Sequence, residues 1–371
     1  MKDMISSSNE YHLYIGIPFC YAKCSYCHYV DNLKFGHKHV SDSYFNLLLK
    51  QLKSVFSLNK NKILKSVYFG GGTPSLLSYS QLLEIKNIFS DYDILPVEIT
   101  IEIHPSTWNL YFLDLNFFTR YSIGVQAINQ ETLYGYKRNS YDWNSVLKII
   151  KEIKEDNGDT YINLDFVFEQ TVEENDIIVI NQLSEDKLLH PDSIVFYPNT
   201  KGRGKERSKN IYKTLKFIAN SLKNYSNLHT SNHIFINYRK QIFSTYSENQ
   251  YEILNDIIGV GHYSISEIGN ESYLGIYNEN NSTFLYKQKH NNRYLKSLIE
   301  ASTGGIRLNT INIVNKELIS YFTKKNNLYY VENKNYSIFY NYLLEHYTLK
   351  EANLFISVIN YGDSNINNFY H

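Results

Sequence analysis

The first two-thirds of the chain alternates between two hydrophobic patterns. Short runs rich in β-branched and aromatic residues, bounded by Gly or Pro, predict strands, and longer segments with apolar residues three and four positions apart predict helices. The predicted strands are His12–Phe19, Ser66–Phe69, Glu98–Ile103, Tyr121–Gln126, Tyr161–Phe168 and Ser193–Tyr197. The helices predicted between and after them are Ser43–Phe56, Tyr79–Phe89, Trp108–Phe117, Trp143–Glu155, Glu173–Leu183 and Lys209–Leu222.

This succession of strands and helices predicts a parallel sheet, because parallel strands need long crossover connections that are usually helical. Such a sheet either curves toward a barrel or stays open and doubly wound. We predict an α/β fold in which residues 1–230 form a partial (β/α)6 barrel of the TIM type and residues 231–371 form a smaller C-terminal α+β domain. In that second part the pattern is weaker. It predicts strands at His233–Ile236 and Ile257–Ile265 and helices at Lys316–Thr323 and Ser337–Leu344.

Composition and charge exclude several classes of protein. Hydrophobic residues make up 43% of the 371 residues and charged residues 20%, as in a soluble globular protein. Lys plus Arg equal Asp plus Glu at 37 each, so nucleic acid is not an expected partner. The first residues lack the apolar core of a signal peptide, and no stretch approaches the ~20 apolar residues of a membrane span. We therefore expect no membrane partner and a cytoplasmic location, where thiols stay reduced.

All 3 cysteines of the chain, Cys20, Cys24 and Cys27, fall in one short stretch after the first predicted strand. Structural zinc usually takes four ligands, and the neighbouring His28 would supply the fourth. An iron–sulfur cluster also takes thiolates, and three of them leave one iron of a four-iron cluster open to a small molecule. A redox disulfide motif needs only two cysteines. The spacing favours a cluster and leaves zinc as the alternative.

Other polar residues follow or interrupt the predicted strands, at the sheet edge where α/β proteins place their chemistry. The glycines of Gly70–Ser75 allow close approach to a ligand, although a tight turn that caps the next helix explains the same residues. Glu102 and Asp165 are acids inside apolar strands, which are costly to bury without a partner. Gln126 and Arg138 offer hydrogen-bond donors, and each has the alternative of an ordinary surface position.

The stretch from Tyr14 to Cys20, followed by Lys23-Cys24-Ser-Tyr-Cys27, resembles the cluster loop of radical S-adenosylmethionine enzymes. It is most similar to the oxygen-independent coproporphyrinogen III oxidase family, which also contains heme chaperones and radical methyltransferases. The resemblance covers most of residues 11–275. It implies a [4Fe–4S] cluster on the three cysteines, whose unique iron binds S-adenosylmethionine. Reductive cleavage of that molecule then gives methionine and a 5′-deoxyadenosyl radical.

The resemblance also implies roles for the remaining motifs. In the family, the Gly-Gly-Gly-Thr-Pro segment and the acids, glutamine and arginine of the barrel contact S-adenosylmethionine. In the oxidase branch, the segment matching Gly259–Ser266 lines the pocket of a second S-adenosylmethionine molecule. The implied partners are a small-molecule substrate and a flavodoxin- or ferredoxin-type electron donor. The implied cofactor-binding residues are Tyr14, Gly71, Gly72, Thr73, Glu102, Gln126, Arg138, Asp165 and Gly261.

The sequence departs from the family at several positions. Gly16 stands where the family has a histidine, and His28 follows Cys27 where the oxidase branch carries a further cysteine. The stretch Ser247–Leu254 lacks the histidine and tryptophan of the chaperone branch. We therefore expect a radical S-adenosylmethionine enzyme that transfers a methyl or methylene group from a second S-adenosylmethionine to a small organic substrate. The alternatives are porphyrinogen decarboxylation, non-catalytic heme carriage and a zinc-stabilised binding protein.

Overall fold

The computed structural model describes residues 4–27, 33–138, 140–168, 172–186 and 188–199, and shorter stretches of the remainder. The shorter stretches are 214, 217–218, 221–222, 224–229, 234–237, 244–246, 255–269, 271–277, 283–287, 320–325, 328–331, 335, 338–339, 341–342 and 345. Ser247–Leu254, His28, and most of the predicted helices Lys209–Leu222 and Ser337–Leu344 lie outside these ranges.

The described residues form sixteen strands and six α-helices. The strands are β1 (Glu10–Ile17), β2 (Phe19–Cys20), β3 (Lys34–Phe35), β4 (Ile63–Gly71), β5 (Glu98–Ile103), β6 (Arg120–Gln126), β7 (Tyr161–Phe168), β8 (Ser193–Pro198), β9 (Ser226–His229), β10 (Ile234–Asn237), β11 (Asp256–Gly261), β12 (Ile265–Ile268), β13 (Glu271–Tyr277), β14 (Thr283–Lys287), β15 (Phe322–Lys325) and β16 (Leu328–Val331). The helices are α1 (Asp42–Leu58), α2 (Tyr79–Asp91), α3 (Tyr111–Asp114), α4 (Gln130–Gly135), α5 (Trp143–Asp156) and α6 (Glu174–Glu185).

The centre of the fold is a parallel sheet in which β1, β4, β5, β6, β7 and β8 lie side by side in chain order. The predicted α/β class and the succession of β–α units are thereby confirmed. The sheet continues at both edges, where β10 and β9 follow β8 and where β11 pairs in parallel with β1 before β12, β13 and β14. The strands that follow residue 231 in this twelve-stranded sheet therefore extend the barrel strands directly. The division into two domains at that residue stays a prediction.

Side chains of the parallel strands alternate between two faces, as the period of a strand requires. One face is apolar, and its residues, such as Leu13, Ile101 and Leu164, join the buried faces of the helices in one hydrophobic core. The other face is polar, and its side chains bond to one another across neighbouring strands. These bonds join His12 to Ser66, Tyr68 to Glu102, Ser122 to Asp165 and Asn163 to Ser193. The polar face lines the inside of the partial barrel.

Local capping signals set the helix starts. α2 begins with a capping box, because the Gln81 amide donates to the Ser78 hydroxyl at 3.2 Å and the Gln81 side chain accepts from the Ser78 amide at 3.1 Å. The side chain of Asp142 caps α5 by accepting from the amide of Ser145 at 2.8 Å. Within the ranges given above, no helix is long and apolar enough to cross a membrane.

Two predicted helices differ from the structure. Only α3 forms within Trp108–Phe117, because Pro105 opens a separate one-turn helix and Asn116 takes a left-handed φ of 44° that ends the run. The prediction for Lys316–Thr323 is wrong at its carboxyl end, where β15 begins and pairs with β16. In this hairpin Phe322 lies opposite Val331, and both side chains are buried. Burial of this pair favours the strand over the predicted helix. The predicted strand Ile257–Ile265 is two strands joined by a turn.

A buried ion pair fastens α5 to the strand β8. Lys154 Nζ lies 3.0 Å from Asp192 Oδ2, and both side chains are less than a tenth exposed. The same carboxylate accepts from the amide of Ile162 at 2.9 Å. The pair therefore ties a helix to the amino-terminal ends of two barrel strands.

Lys154→Ala should lower the free energy of unfolding by about 3–5 kcal/mol, because it leaves a buried carboxylate without its cation. Urea denaturation of purified protein measures the loss. The matched control is Lys148→Ala on the same helix, whose exposed pair with Glu152 is worth only about 0.5 kcal/mol. Equal losses in the two variants would contradict the role assigned to the buried pair.

Candidate active site

The cysteine loop begins where β1 ends. Phe19 and Cys20 form the short strand β2, which pairs in parallel with β3, and the amide of His37 donates to the carbonyl of Cys20 at 3.1 Å. Cys20 and Cys24 are buried, and Cys27 is half-buried. The three thiols therefore lie at the carboxyl edge of the sheet, where the sequence pattern places them.

The three thiols are close enough to influence one another electrostatically. Burial raises the pKa of Cys20 to about 12; a hydrogen bond with the Thr73 side chain lowers it, and the charges of Cys27 and Cys24 raise it. Among the described residues, no three His, Cys, Asp or Glu side chains converge on a point that would hold a single metal ion. The donor set of this loop is three thiols, which fits the ligation of an iron–sulfur cluster.

The glycine segment after β4 packs directly against the cysteine loop. Gly71 has a φ of 112°, which favours glycine, and the amide of Gly72 donates to the carbonyl of Ile17 at 2.7 Å. A Cβ on Gly72 would lie 2.5 Å from the carbonyl oxygen of Phe19 and 2.9 Å from Cys20 Sγ. Glycine is required at position 72 because the backbone there passes beside the Cys20 thiol, and any larger residue would fill the space between them.

Arg138 joins the cysteine loop to the end of β6. Its Nη2 donates to the carbonyl of Gly124 at 2.8 Å, and its Nε donates to the hydroxyl of Tyr141 at 3.0 Å. Its Nη1 donates to the hydroxyl of Tyr26 at 3.1 Å and lies 3.7 Å from Cys24 Sγ. The alternative of a surface arginine is therefore excluded, since this guanidinium has partners on both sides of the site.

Gln126 lies beside Arg138 at an irregular strand end. It is buried and has a left-handed φ of 66°, and the pairing of β6 with β7 shifts register between Gly124 and Gln126. Irregularities of this kind redirect a side chain, and left-handed residues other than glycine concentrate at functional sites. A Cβ on Gly124 would lie 2.7 Å from Arg138 Nη2 and 2.8 Å from Gln126 Nε2. The side chains of Arg138 and Gln126 therefore both lie next to Gly124.

Two carboxylates occupy the inner face of the barrel near this edge. Glu102 on β5 accepts from the hydroxyl of Tyr68 at 2.9 Å. Asp165 on β7 accepts from the hydroxyl of Ser122 at 2.7 Å and from Asn163 Nδ2 at 2.9 Å. Both acids predicted from the sequence therefore face inward with polar partners, and the solvent-facing alternative for Glu102 is excluded.

The charges of these acids are coupled. The pKa of Glu102 is raised to about 8, first by burial and then by the nearby charge of Asp165, while the Tyr68 hydrogen bond, the charge of Arg120 and the Gly71 amide oppose the rise. Burial also raises the pKa of Asp165, and its hydrogen bond from Ser122 opposes that rise. Ionised Glu102 is therefore disfavoured, chiefly by burial and in part by the second acid, and a positively charged ligand would favour its ionised form.

The two remaining predicted residues, Tyr14 and Gly261, lie on strands next to each other. The Tyr14 ring stacks on that of Tyr68 at 6.0 Å between centroids. Gly261 has a φ of 100° and packs against the carbonyl of Gly16, where a Cβ would clash. The hydroxyl of Tyr44 donates to that same carbonyl at 2.5 Å. Close packing of β11 on β1 is thus sufficient to account for glycine at position 261.

Sequence reasoning missed several polar residues of the inner face. Arg120 is buried, and its Nη1 has no hydrogen-bond partner among the described residues. Tyr68 bonds to Glu102, and Asn163 bonds to Asp165. The signal that would have found them is the two-residue period, because each lies an even number of positions from an inward-facing residue on its own strand.

Comparisons with known proteins agree with this geometry. The family model of the radical SAM superfamily matches residues 14–179. The heme chaperone HemW of Buchnera aphidicola subsp. Schizaphis graminum is 31% identical over 319 residues, which are 76% of this chain and 77% of the relative. The oxygen-independent coproporphyrinogen III oxidase of Salmonella typhimurium is 27% identical over 161 residues, which are 42% of this chain and 35% of the relative.

Among solved structures, the coproporphyrinogen III oxidase HemN from Escherichia coli matches with a TM-score of 0.67 at 18% identity, over 96% of this chain and 92% of that one. The fold is therefore the partial barrel expected from the sequence. With its three-cysteine loop at the barrel edge, the chain belongs to the radical SAM superfamily. Within that superfamily it belongs with the HemW- and HemN-like proteins.

The raised pKa of Glu102 predicts a pH-dependent stability. The folded value of about 8 exceeds the ordinary value of about 4.3, so that folding takes up a proton between these pH values. Wild-type stability then falls by up to about 1.4 kcal/mol per pH unit as the pH rises through this window. In Glu102→Gln this loss should be absent. The free energy of unfolding of the variant, relative to that of the wild type, should therefore increase with pH up to about pH 8.

Urea denaturation of metal-free protein at several pH values measures this difference. The matched control is Glu84→Gln, because Glu84 is exposed on α2 and its replacement should leave the wild-type pH dependence unchanged. Parallel stability–pH curves for Glu102→Gln and wild type would show that Glu102 titrates normally.

Proposed function

We propose that this chain holds a [4Fe–4S] cluster on Cys20, Cys24 and Cys27, binds S-adenosylmethionine beside it, and modifies a small organic substrate. The observation that carries the proposal is the packing of the thiol loop against Gly72 and Arg138 at the barrel edge. The same edge presents Glu102, so that thiols and cofactor-type polar groups meet in one place. The family membership of the chain supports the same chemistry.

The cluster and its ligand would supply one-electron cleavage of a carbon–sulfur bond, which gives a 5′-deoxyadenosyl radical. The protein's part is to bind and orient. Arg138 and Gln126 provide buried donors for the carboxylate and ribose of the ligand. Glu102 and Asp165 provide acceptors for ribose hydroxyls and the ammonium group. The glycine segment brings backbone polar groups of residues 71–73 close to the thiols.

Reconstituted without oxygen, the protein should bind about four iron and four sulfide per chain and, once reduced, release 5′-deoxyadenosine and methionine. Replacement of Cys20, Cys24 or Cys27 by Ala should abolish both. Asp165→Asn is the matched control for the cluster, because it alters the inner face without removing a thiol and should retain iron while weakening cofactor binding. A protein that retained one tightly bound zinc in place of iron would contradict the proposal.

A basic surface next to the cysteine loop suits an acidic electron donor of the flavodoxin or ferredoxin type. Lys34 and Lys38 are exposed on and after β3, and β3 pairs with the strand that ends in Cys20. Lys34 Nζ lies 5.6 Å from the centre of the Phe19 ring, and the exposed Lys23 precedes Cys24. Between positions 18 and 41 the sequence holds three lysines and a single acid, at position 31. Electrostatic steering of an acidic protein would follow.

Lys34→Glu combined with Lys38→Glu should lower turnover about tenfold with a reduced flavodoxin or ferredoxin, because the charge reversal opposes electrostatic steering. Turnover with dithionite, which needs no protein docking, should stay unchanged. Lys60→Glu is the control, since Lys60 is exposed in the loop before β4, at the opposite edge of the sheet. An equal loss of turnover with both reductants would show that the lysines affect the reaction itself, and it would contradict the proposed docking surface.

Heme carriage is the second candidate, favoured by the 31% identity to a heme chaperone over most of both chains. If the enzymatic proposal holds, heme titration should give weak binding without a sharp Soret band, since the stretch Ser247–Leu254 lacks a histidine. A tight one-to-one heme complex, together with no release of 5′-deoxyadenosine, would contradict the enzymatic proposal and support heme carriage. The control is titration of the Cys24→Ala variant, which separates heme binding from the cluster.

Methyl or methylene transfer is the finer form of the enzymatic proposal, and porphyrinogen decarboxylation is its rival. Methyl transfer needs a second S-adenosylmethionine, for which the Gly259–Ser266 turn is the candidate position. In this turn the carbonyl oxygen of Ile265 packs against Gly259. A Cβ at position 259 would lie 2.6 Å from that oxygen, so the contact requires glycine. Binding stoichiometry and product mass spectrometry with labelled methyl donor decide between the two reactions.

A further inference from the structure

A segment from the C-terminal part of the chain is anchored at the amino-terminal end of the barrel. Glu98, the buried first residue of β5, accepts from the hydroxyl of Ser244 at 2.7 Å and from the amide of Thr245 at 2.6 Å. The same carboxylate accepts from the hydroxyl of Thr100 at 3.0 Å. One inward-facing acid therefore fastens residues 244–246 below the site.

The last residue of this segment, Tyr246, reaches into the barrel. Its buried ring stacks on Tyr68 with centroids 4.8 Å apart and planes at 29°. It also meets the ring of Tyr14 at 6.3 Å and the edge of His12 at 6.4 Å. Tyr246 thus packs among the inward-facing side chains of β1 and β4.

Tyr68 is held from several sides. Tyr14 stacks on it at 6.0 Å with planes at 9°, and a Cβ on Gly70 would lie 2.9 Å from its ring. Its hydroxyl donates to Glu102 Oε1 at 2.9 Å. A ring packed in this way keeps one orientation, so that the hydrogen bond to Glu102 depends on the packing beneath it.

We propose that Tyr246 is a positioning residue, which plugs the amino-terminal end of the barrel and holds the Tyr68 hydroxyl on Glu102. The bond engages Oε1 of the carboxylate. The inference rests on the proposed function only in assigning Glu102 to the cofactor. It links a residue beyond position 230 to the site through side-chain packing alone.

The alternative is that Tyr246 merely fills space. The two differ in what happens to Glu102, because a filler would affect stability alone, whereas a positioning residue would also change the ionisation of Glu102 through Tyr68. The charged groups facing Glu102 are Asp165 from β7 and Arg120 from β6, besides the amide of Gly71 and the hydroxyl of Tyr68. Of these groups, Tyr68 is the one whose ring stacks on Tyr246, so a shifted ionisation of Glu102 in a Tyr246 variant reports on Tyr68.

The test is a carboxyl titration of the full-length protein, with and without a reconstituted cluster, by infrared difference spectroscopy, with Glu102→Gln identifying the band of Glu102. We expect Tyr246→Leu and Tyr68→Phe each to raise the midpoint of Glu102 by about one pH unit, a tenfold change in the ionisation constant. Tyr246→Phe keeps the stacked ring and should shift the midpoint much less than Tyr246→Leu.

The double variant Tyr68→Phe, Tyr246→Leu should titrate as Tyr68→Phe alone, because both changes remove the same hydrogen bond. Additive shifts, or a midpoint unmoved in Tyr246→Leu while the iron content is intact, would overturn the proposal. Affinity for S-adenosylmethionine is a second readout, expected to fall about tenfold in Tyr246→Leu. Since the titration needs no S-adenosylmethionine, failure of the wild type to bind it would count against the proposed function and leave the titration to decide the positioning role.

Discussion

The close approach of backbones at the carboxyl end of β1 is the constraint on which the site depends. Gly72 lies against the carbonyls of Ile17 and Phe19, and Gly261 lies against the carbonyl of Gly16 on the other side. Neither contact leaves room for a Cβ, so the cysteine loop is fixed relative to β4 and β11 at once. The position of the thiols over the barrel is therefore set by the main chain, and the polar side chains are arranged around it.

The inner face adds an electrostatic imbalance to this framework. Glu98, Glu102 and Asp165 face inward with Arg120, so that carboxylates outnumber cations among the described residues of this face. Burial is the main cause of the raised pKa of Glu102, and the charge of Asp165 adds to it. S-adenosylmethionine carries a sulfonium and an ammonium group, and a ligand of this charge would return Glu102 to its ionised state. This argument supports the proposed cofactor independently of the cysteine pattern.

The sequence was sufficient for the six parallel strands of the barrel, the cysteines and the two inward-facing acids, because each depends on a local pattern. The two-residue period locates a strand, and three clustered thiols indicate one ligand set. The contact between Tyr68 and Tyr246 was missed for a physical reason: it joins β4 to a segment far along the chain, where the periodicity fades. The glycine segment was ambiguous from sequence, since only the distance from Gly72 to Cys20 distinguishes a close approach from an ordinary turn.

The pairing of β1 with β11 has a consequence for biosynthesis. Asp256 at the start of β11 accepts from the hydroxyl of Ser6, which lies 250 positions earlier, and β11 supplies one of the two neighbours of β1 in the sheet. During translation, the strand that leads into the cysteine loop keeps an open edge until the ribosome has made most of the chain. The second edge of β1, and with it the support of the cysteine loop, is therefore completed only when β11 has been synthesised.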